Sequence, residues 1–278
     1  MTERDRIPLA GVVGSPVSHS LSPKLHGHWL SRYGIEGYYV PMNVASPDLP
    51  EAIRNMSKLG FVGANVTIPH KEAVLELADM VTDRAAVIGA ANTLAFLEDG
   101  RIHADNTDGY GFVENLRRSA PDWDPAGGPV AVVGAGGATR AVLASLIELG
   151  AREIRLANRT RARAEALADA FGPKVKVFSW IRAGDMLEGV ALMVNASSLG
   201  MVGKTDYRVP LDALSARAVV CDLVYVPLRT ALLERAERIG CATVDGLGML
   251  LHQAAPGFER WFGVRPEVDD ELRQAVLA

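Results

Sequence analysis

Apolar positions in the first part of the chain fall into short β-favouring runs separated by stretches with helical spacing. Ile7–Val13, Gly37–Met42 and Phe61–Val66 read as strands, with helices over Leu25–Tyr33 and Asp48–Lys58 between them. Ser22 is a good N-cap and Pro23 suits a first turn, which sets the start of the first helix. Asn65-Val-Thr-Ile-Pro-His-Lys71 leads into a further helix through about Asp79. Asn92–Leu97 and Arg101–Ala104 flank Glu98-Asp-Gly100, a hairpin signal, and Asp105–Gly111 opens a helix running to about Ser119. Strand and helix alternating at this pace predict an α/β layer with some parallel pairing.

Pro121-Asp-Trp-Asp-Pro-Ala-Gly-Gly128 is rich in breakers and marks a domain boundary nearby. Beyond it, strands are predicted near 130–133, 153–157, 175–178, 191–194, 218–223 and 241–244, most of them separated by helices. In Pro129-Val-Ala-Val-Val-Gly-Ala-Gly-Gly-Ala-Thr-Arg140, apolar residues run into three glycines, and Ala138–Leu149 then carries helical spacing. Strand, tight turn and helix in that order open a dinucleotide-binding sheet. Gly134 and Gly136 let the backbone turn sharply and approach a pyrophosphate, and the amides of the following helix start point at its charge. The third glycine of G-x-G-x-x-G is absent, because Thr139 stands there, so a plain βα turn remains an open reading.

The second strand of that sheet, Glu153–Ala157, ends at Asn158-Arg-Thr160, with Arg163 shortly after. An NAD site calls for an acid near this point, to accept from the ribose 2′-hydroxyl. An acid repels a 2′-phosphate, whereas a guanidinium binds one through paired charge-assisted hydrogen bonds, so these residues point to NADP(H). For Arg163 an ordinary solvated helix face is the competing reading.

Six strands complete a doubly wound sheet near residue 246. Leu247–Phe262 and a last helix, Asp269–Leu277, then have no sheet of their own and are expected to return to the first domain. The expected architecture is α/β with two domains. Residues 1–112 plus 247–278 form a mixed-sheet substrate domain, 113–246 bind the dinucleotide, and the substrate lies in a cleft between them.

Composition narrows the field. The 278 residues, 49 % hydrophobic and 22 % charged, are long enough for two modest cores. A net charge of −4 gives no general attraction to nucleic acid or an anionic membrane. Arg140 and Asp222 interrupt the best apolar runs short of a membrane span, and Met-Thr-Glu-Arg-Asp-Arg at the N-terminus lacks the apolar core of a signal peptide. Two cysteines, Cys221 and Cys241, sit in apolar strand-like runs and read as buried reduced thiols of a cytoplasmic protein. The six histidines show no metal-ligand spacing, so no metal is expected.

Candidate chemistry gathers at the predicted strand tips. Ser20 and Ser22 flank a helix start and offer a carboxylate two hydroxyls and free amides, although capping alone explains one of them. Asn65 and Thr67 end a strand, where Asn is disfavoured without a reason. Lys71 falls in the first turn of the next predicted helix. There the dipole disfavours a cation and so favours release of its proton, as a general acid and base requires. A solvated, snorkelling lysine is the plain alternative. Asp108 begins a helix and either serves the dipole or pairs with Lys71. Asn92 starts a strand, and Gln253 lies on an otherwise apolar helix, Leu247–Ala255; each is either a ligand contact or a structural polar group.

Taken together, Gly14–Pro23, Asn65–Lys71, Asn106–Gly109, the Gly134-Ala-Gly-Gly-Ala turn, Asn158–Thr160 and Gly246–Gln253 resemble, in that order and over essentially the whole chain, the shikimate dehydrogenase family. The resemblance implies a doubly wound Rossmann NADP-binding domain beside the substrate domain. It also implies NADPH-dependent reduction of 3-dehydroshikimate to shikimate, in aromatic (chorismate) biosynthesis. By position, Ser20 and Ser22 would hold the substrate carboxylate, with Tyr225 also reaching it. Asn65, Thr67, Asn92, Asp108 and Gln253 would bind ring hydroxyls, and Lys71 paired with Asp108 would be the acid/base.

Gly134, Gly136, Gly137 and Ala138 would contact the pyrophosphate; Asn158, Arg159, Thr160 and Arg163 the 2′-phosphate. Met201, Leu223, Tyr225, Gly246 and Met249 would line the nicotinamide end. The implied partner is a small molecule, handled by a cytoplasmic monomer or homodimer. Gly27, Val226 and Asp245 stand where the family usually has Asn. A quinate-accepting or NAD-using relative, an aminoshikimate-type enzyme and a catalytically silent NADP sensor are the rival readings.

Overall fold

The chain divides into two compact units, Met1–Asp108 with Leu250–Ala278, and Gly109–Met249. The computed structural model describes residues 7–278. The hydrophilic N-terminal hexapeptide, read above for its lack of a leader's apolar core, lies outside the described residues.

The first unit opens with β1 (Leu9–Gly14), α1 (Ser22–Arg32), β2 (Tyr38–Asn43), α2 (Leu49–Met56) and β3 (Phe61–Val66). After a short 3-10 helix at Ala73–Leu77 come β4 (Met80–Val81), α3 (Asp83–Ile88), β5 (Thr93–Phe96) and β6 (Ile102–Asp105). Its sheet has the order β2-β1-β3-β5-β6-β4. β1 runs parallel to β2 and β3, while β3/β5 and β5/β6 are antiparallel, the latter pair being the expected hairpin closed by Phe96 opposite Ile102. The core of this unit gathers Val13, Ile53, Ala64, Val66, Leu94 and Ala104, which point inward from the strands and from α2.

Three local expectations change. No α-helix runs from Lys71 to Asp79. Asp79 is drawn to β6 by its amide, which donates to Ile102 O at 2.9 Å, and by its carboxylate, which accepts from Ile102 N at 2.8 Å. Ahead of it the chain forms only the five-residue 3-10 helix Ala73–Leu77. α3 was not foreseen, although Thr82 caps it by accepting from Ala85 N at 3.2 Å and Gly89 ends it at φ 68°. Ser22 is the first helical residue of α1 rather than its cap; the cap position falls on Leu21, without a side-chain cap, and Ser20 Oγ just ahead of it accepts from Ser22 N at 3.3 Å.

The second unit follows with α4 (Asp108–Ser119), β7 (Val130–Val133), α5 (Gly137–Glu148), β8 (Ile154–Ala157), α6 (Arg161–Phe171) and β9 (Val175–Phe178). β10 (Leu192–Asn195), β11 (Val219–Asp222), α7 (Ala231–Ile239) and β12 (Ala242–Val244) complete it. All its strands are parallel, in the order β12-β11-β10-β7-β8-β9. That is the doubly wound dinucleotide-binding topology, with its switch point between β7 and β10. Both faces are covered: Val130, Val132, Leu192 and Val194 pack into one apolar cluster, while the alternating Ala131, Val133 and Met193 pack into another. Cys221 and Cys241 are free, buried and divided between these two clusters.

α8 (Gly246–Phe262) leaves the second unit at Met249, and its remainder with α9 (Asp270–Leu277) belongs to the first. Trp261 on α8 donates from Nε1 to Leu94 O at 2.8 Å, and Arg32 on α1 grips Asp269, the cap of α9, at 2.6 Å. Among the described residues no helix is long and apolar enough to cross a membrane.

Within this returning segment's packing lies His26 of α1, fully buried and stacked on Tyr39 at 3.9 Å between ring centroids, with Trp29, Phe258 and Trp261 around it. Neither ring nitrogen has a hydrogen-bond partner among the described residues. Burial therefore pushes the imidazole down to about 3 from its ordinary 6.5. The unfolded chain binds a proton there that the native chain refuses, so stability contributed by neutral His26 is full above about pH 6.5 and is lost progressively as pH falls towards 3. Urea unfolding near pH 7 and near pH 5 should show this loss in the wild type and a clearly smaller one in His26→Phe, which keeps the ring stack. Equal losses in both proteins would remove His26 from the account.

Candidate active site

The first unit concentrates polar residues at the tips of β3, β5 and β6. Lys71, in the turn after β3, reaches Asp108 with Nζ 2.5 Å from Oδ2, and both side chains are largely buried. A close, shielded ion pair of this kind demands further hydrogen bonds to offset lost hydration. Asn92, just before β5, supplies one: its Nδ2 lies 2.9 Å from the other oxygen of Asp108, and also faces Thr107 Oγ1 at 3.0 Å and Gln253 Oε1 at 2.9 Å. Asn92 Oδ1 in turn accepts from Thr107 N at 2.8 Å and Thr93 Oγ1 at 3.0 Å. Gln253 is held by its own Nε2, which donates to Leu250 O at 3.0 Å. The expected helix start at Lys71 is replaced by a turn, so the dipole argument made for that lysine falls away. Its electrostatic partner is Asp108.

Asn65 joins the same network. Its Oδ1 accepts from Tyr39 OH at 2.7 Å, and its Nδ2 donates to Asn92 O at 3.1 Å and approaches Thr93 Oγ1 at 3.4 Å. Asp108 is aimed from behind: its amide donates to Asn106 Oδ1 at 3.0 Å, and Asn106 Nδ2 donates to Ala90 O at 2.8 Å. One residue earlier, burial raises the Asp105 carboxyl, but Arg84 and Thr82 outweigh that and hold it below the usual range. Thr67 lies against the tip of β1, where its methyl leaves no room for a Cβ on Gly14, and Ser15 N donates to Ile68 O at 2.9 Å. The loop that ends in Ser20 and Ser22 thus starts beside the turn that carries Lys71. Among the described residues no hydrogen bond links either serine to the Lys71–Asp108 network.

The cofactor candidates lie in the second unit, nearly all at the carboxyl edge of its parallel sheet. Gly134 follows β7 with φ +114°, and a Cβ there would come within 2.8–2.9 Å of the Ala196–Ser197 backbone. Only glycine fits. A Cβ on Gly136 would instead meet nothing within 4 Å, and the first-turn amides of α5 that follow, at Gly137 and Ala138, have no intrahelical acceptor. Thr139, in place of a third glycine, closes the turn by accepting from Gly136 N at 3.2 Å through its hydroxyl. At the tip of β8, Asn158 Nδ2 donates to Thr160 O at 2.9 Å, while Arg159 and Arg163 are exposed and neither has an acidic partner among the described residues. An exposed pair of guanidiniums with no acid beside it, next to an open helix N-terminus, fits a dinucleotide carrying a 2′-phosphate.

Met201 and Tyr225 stand in the loops after β10 and β11, which are tied by Val202 N donating to Val226 O at 3.0 Å. Burial pushes the Tyr225 phenol up. Leu223 is partly buried at the tip of β11, and Gly246 abuts it: a Cβ at 246 would sit 2.4 Å from Leu223 O, a packing reason sufficient for that glycine. Met249 is 7 % exposed and belongs to the core of its unit rather than to an open surface. Sequence reasoning passed over Thr93, and took Asn106 and Thr107 only as part of the Asn106–Gly109 motif without assigning them a place around the ion pair. It also missed Asn195 and Asp222, although each closes an apolar strand run with one polar residue, and that break in the run was the available signal.

Three family models match: "Shikimate dehydrogenase substrate binding domain" over residues 12–94, "Shikimate / quinate 5-dehydrogenase" over 121–202, and "Shikimate 5'-dehydrogenase C-terminal domain" over 246–277. A relative from Cereibacter sphaeroides named shikimate dehydrogenase (NADP(+)) is 68 % identical over 278 residues, covering 100 % of both chains. This chain belongs to the shikimate dehydrogenase family. Among solved structures, the shikimate 5-dehydrogenase of Thermus thermophilus in complex with NADP(H) and shikimate matches with a TM-score of 0.85 at 36 % identity, covering 98 % of each chain. Quinate dehydrogenase from Corynebacterium glutamicum in complex with NAD matches with a TM-score of 0.89 at 30 % identity, covering 98 % of this chain and 99 % of that one.

The geometry of the glycine turn makes a direct prediction. Gly134→Ala should strongly weaken NADP+ binding, measured by protein fluorescence or calorimetry, because the added methyl displaces the turn or Ala196–Ser197. Gly136→Ala, with room for its methyl in the protein itself, should fold as stably as the wild type and lose affinity only through the space it takes from the ligand. Wild-type affinity in Gly134→Ala would show that the turn does not hold the dinucleotide.

Proposed function

We propose that this member of the shikimate dehydrogenase family, an NADP-dependent oxidoreductase, reversibly reduces 3-dehydroshikimate to shikimate in aromatic amino acid (chorismate) biosynthesis, with Lys71 as its general acid and base. The observation that carries this reading is the 2.5 Å Lys71–Asp108 pair, buttressed on the carboxylate's far oxygen by Asn92. NADPH, when bound, supplies the hydride that reaches the carbonyl carbon. Negative charge then builds on the carbonyl oxygen, and the Lys71 ammonium donates the proton that quenches it; in the oxidative direction the amine takes that proton back. Asp108 holds the ammonium in place and accepts from a ring hydroxyl. General acid/base help of this kind is worth about 10²–10⁴-fold.

Ser20 and Ser22, with Tyr225, are assigned to the substrate carboxylate, and Asn65, Thr67, Asn92 and Gln253 to ring hydroxyls. Asn92 and Gln253 spend most of their hydrogen-bonding capacity on the protein, so their main part is to aim Asp108. Gly134, Gly136, Gly137 and Ala138 are assigned to the pyrophosphate; Asn158, Arg159, Thr160 and Arg163 to the 2′-phosphate; Met201, Leu223, Gly246 and Met249 to the nicotinamide end. In this reading residues 1–112 with 247–278 form the substrate domain and 113–246 the NADP(H) domain. A cytoplasmic setting accords with two unpaired, buried thiols, and the assembly in this reading is a monomer or homodimer.

The test follows the absorbance of the NADPH or NADH formed with shikimate or quinate, each with NADP+ or NAD+. Rapid reduction is expected with shikimate and NADP+, and Lys71→Ala should lower its rate by about 10²–10⁴-fold without abolishing NADP+ binding. Arg159→Ala should raise the KM for NADP+ by about tenfold or more and leave that for NAD+ unchanged, since only the 2′-phosphate loses its charge-assisted bonds. Comparable rates with quinate and NAD+ would move the assignment to the quinate-type relative. No turnover in any combination, with NADP+ still bound, would favour a silent sensor.

A further inference from the structure

The second unit buries a carboxylate that the reaction does not use. Asp222 ends β11, is fully shielded from solvent, and has no cation within ion-pair reach among the described residues. A lone buried anion is costly unless several donors surround it. Here Thr230 Oγ1 donates to Oδ2 at 2.6 Å, while Asn195 Nδ2 at 2.9 Å and Val224 N at 3.0 Å donate to Oδ1. Even so, burial outweighs these bonds and pushes the carboxyl up to about 6.

What those donors belong to gives the anion its meaning. Asn195 stands directly opposite Asp222 in the β10/β11 register and ends its own strand. Its Oδ1 accepts from Ser197 Oγ at 2.6 Å and Ser197 N at 3.2 Å, and its Nδ2 also reaches Leu199 O at 3.1 Å. The loop that leads to Met201 is therefore folded around Asn195. Val224 N belongs to the segment that leads to Tyr225, and Thr230 caps α7 beyond it. The same Ala196–Ser197 backbone is what a Cβ on Gly134 would strike. Glycine turn, β10 loop and β11 loop thus share one support.

We infer that Asp222 is a positioning residue for cofactor binding: through Asn195 and Thr230 it fixes the two loops that carry Met201 and Tyr225 relative to the glycine turn. This rests on the assignment of those loops to the nicotinamide end.

The test compares two ligands. NADP+ spans the whole edge, whereas adenosine 2′,5′-bisphosphate carries the 2′-phosphate assigned to Arg159 and Arg163 and one phosphate of the bridge at the glycine turn, but nothing of the nicotinamide end. In Asp222→Asn, whose amide cannot accept at both positions, calorimetry should give about tenfold weaker NADP+ binding with an unchanged affinity for the bisphosphate. Thr230→Val, which removes one donor without touching the carboxylate, should shift the same ratio in the same direction, and Thr230→Ser should restore it. A merely structural role would lower thermal stability and move both ligands together or neither, and either pattern overturns the proposal. If Asp222→Asn does not fold, the Thr230 pair decides. Wild-type protein that binds the bisphosphate as tightly as NADP+ would overturn the nicotinamide-end assignment and the proposal with it, whereas a wild type that prefers NADP+ alongside unmoved variants overturns the proposal alone.

Discussion

Two largely buried opposite charges, the Lys71 ammonium and the Asp108 carboxylate, meet at 2.5 Å, and much of the first unit is arranged so that they can. Removing such groups from water is repaid only where their remaining hydrogen-bonding sites are filled. Asn92 fills one side of the carboxylate, and Thr107, Thr93 and Gln253 hold Asn92. Those residues come from β5, from the turn after β6 and from α8, elements far apart in sequence that only a mixed sheet and a returning helix bring to one point. The return of α8 is in turn secured by Trp261 on Leu94 and by the aromatic packing around His26.

The second unit solves a different problem. Its parallel sheet is apolar on both faces, so its chemistry is confined to the carboxyl edge, where each strand ends in a polar or glycine-bearing turn. Gly134 must be glycine because Ala196–Ser197 runs against it; Arg159 is exposed at the β8 tip with no acidic partner among the described residues. Asp222 and Asn195 form a buried polar layer just beneath that edge. The first unit thus holds a paired, shielded charge at its network, while the second leaves Arg159 and Arg163 exposed at its sheet edge.

Much of this was legible along the chain. β3, β7 and β9 have the bounds their apolar runs predicted, and the six parallel strands fall within a residue or two of the expected places. Strand spacing and the glycine turn are local signals, and they survive folding unchanged. The misses share one physical cause. The 3-10 turn at Ala73–Leu77 exists because Asp79 is pulled onto β6 by hydrogen bonds across 23 residues of chain. Ser22 falls inside α1 rather than at its cap because the folded chain is already helical at Leu21, which propensity does not encode.

The sequence alone determined the element types, the parallel second sheet, the choice of arginine over an acid at the β8 tip, and the residue pairing expected of Lys71 and Asp108. These follow from side-chain chemistry and from periods of two and 3.6 residues. Tertiary structure decided what each polar residue is free to do. Asn92 and Gln253 turn toward Asp108, Met249 and Gly246 are taken up by packing, and Asn195 and Asp222 become the support of two loops. Hydrogen-bonding capacity is finite, and only the folded neighbourhood determines how much of it is left for a ligand.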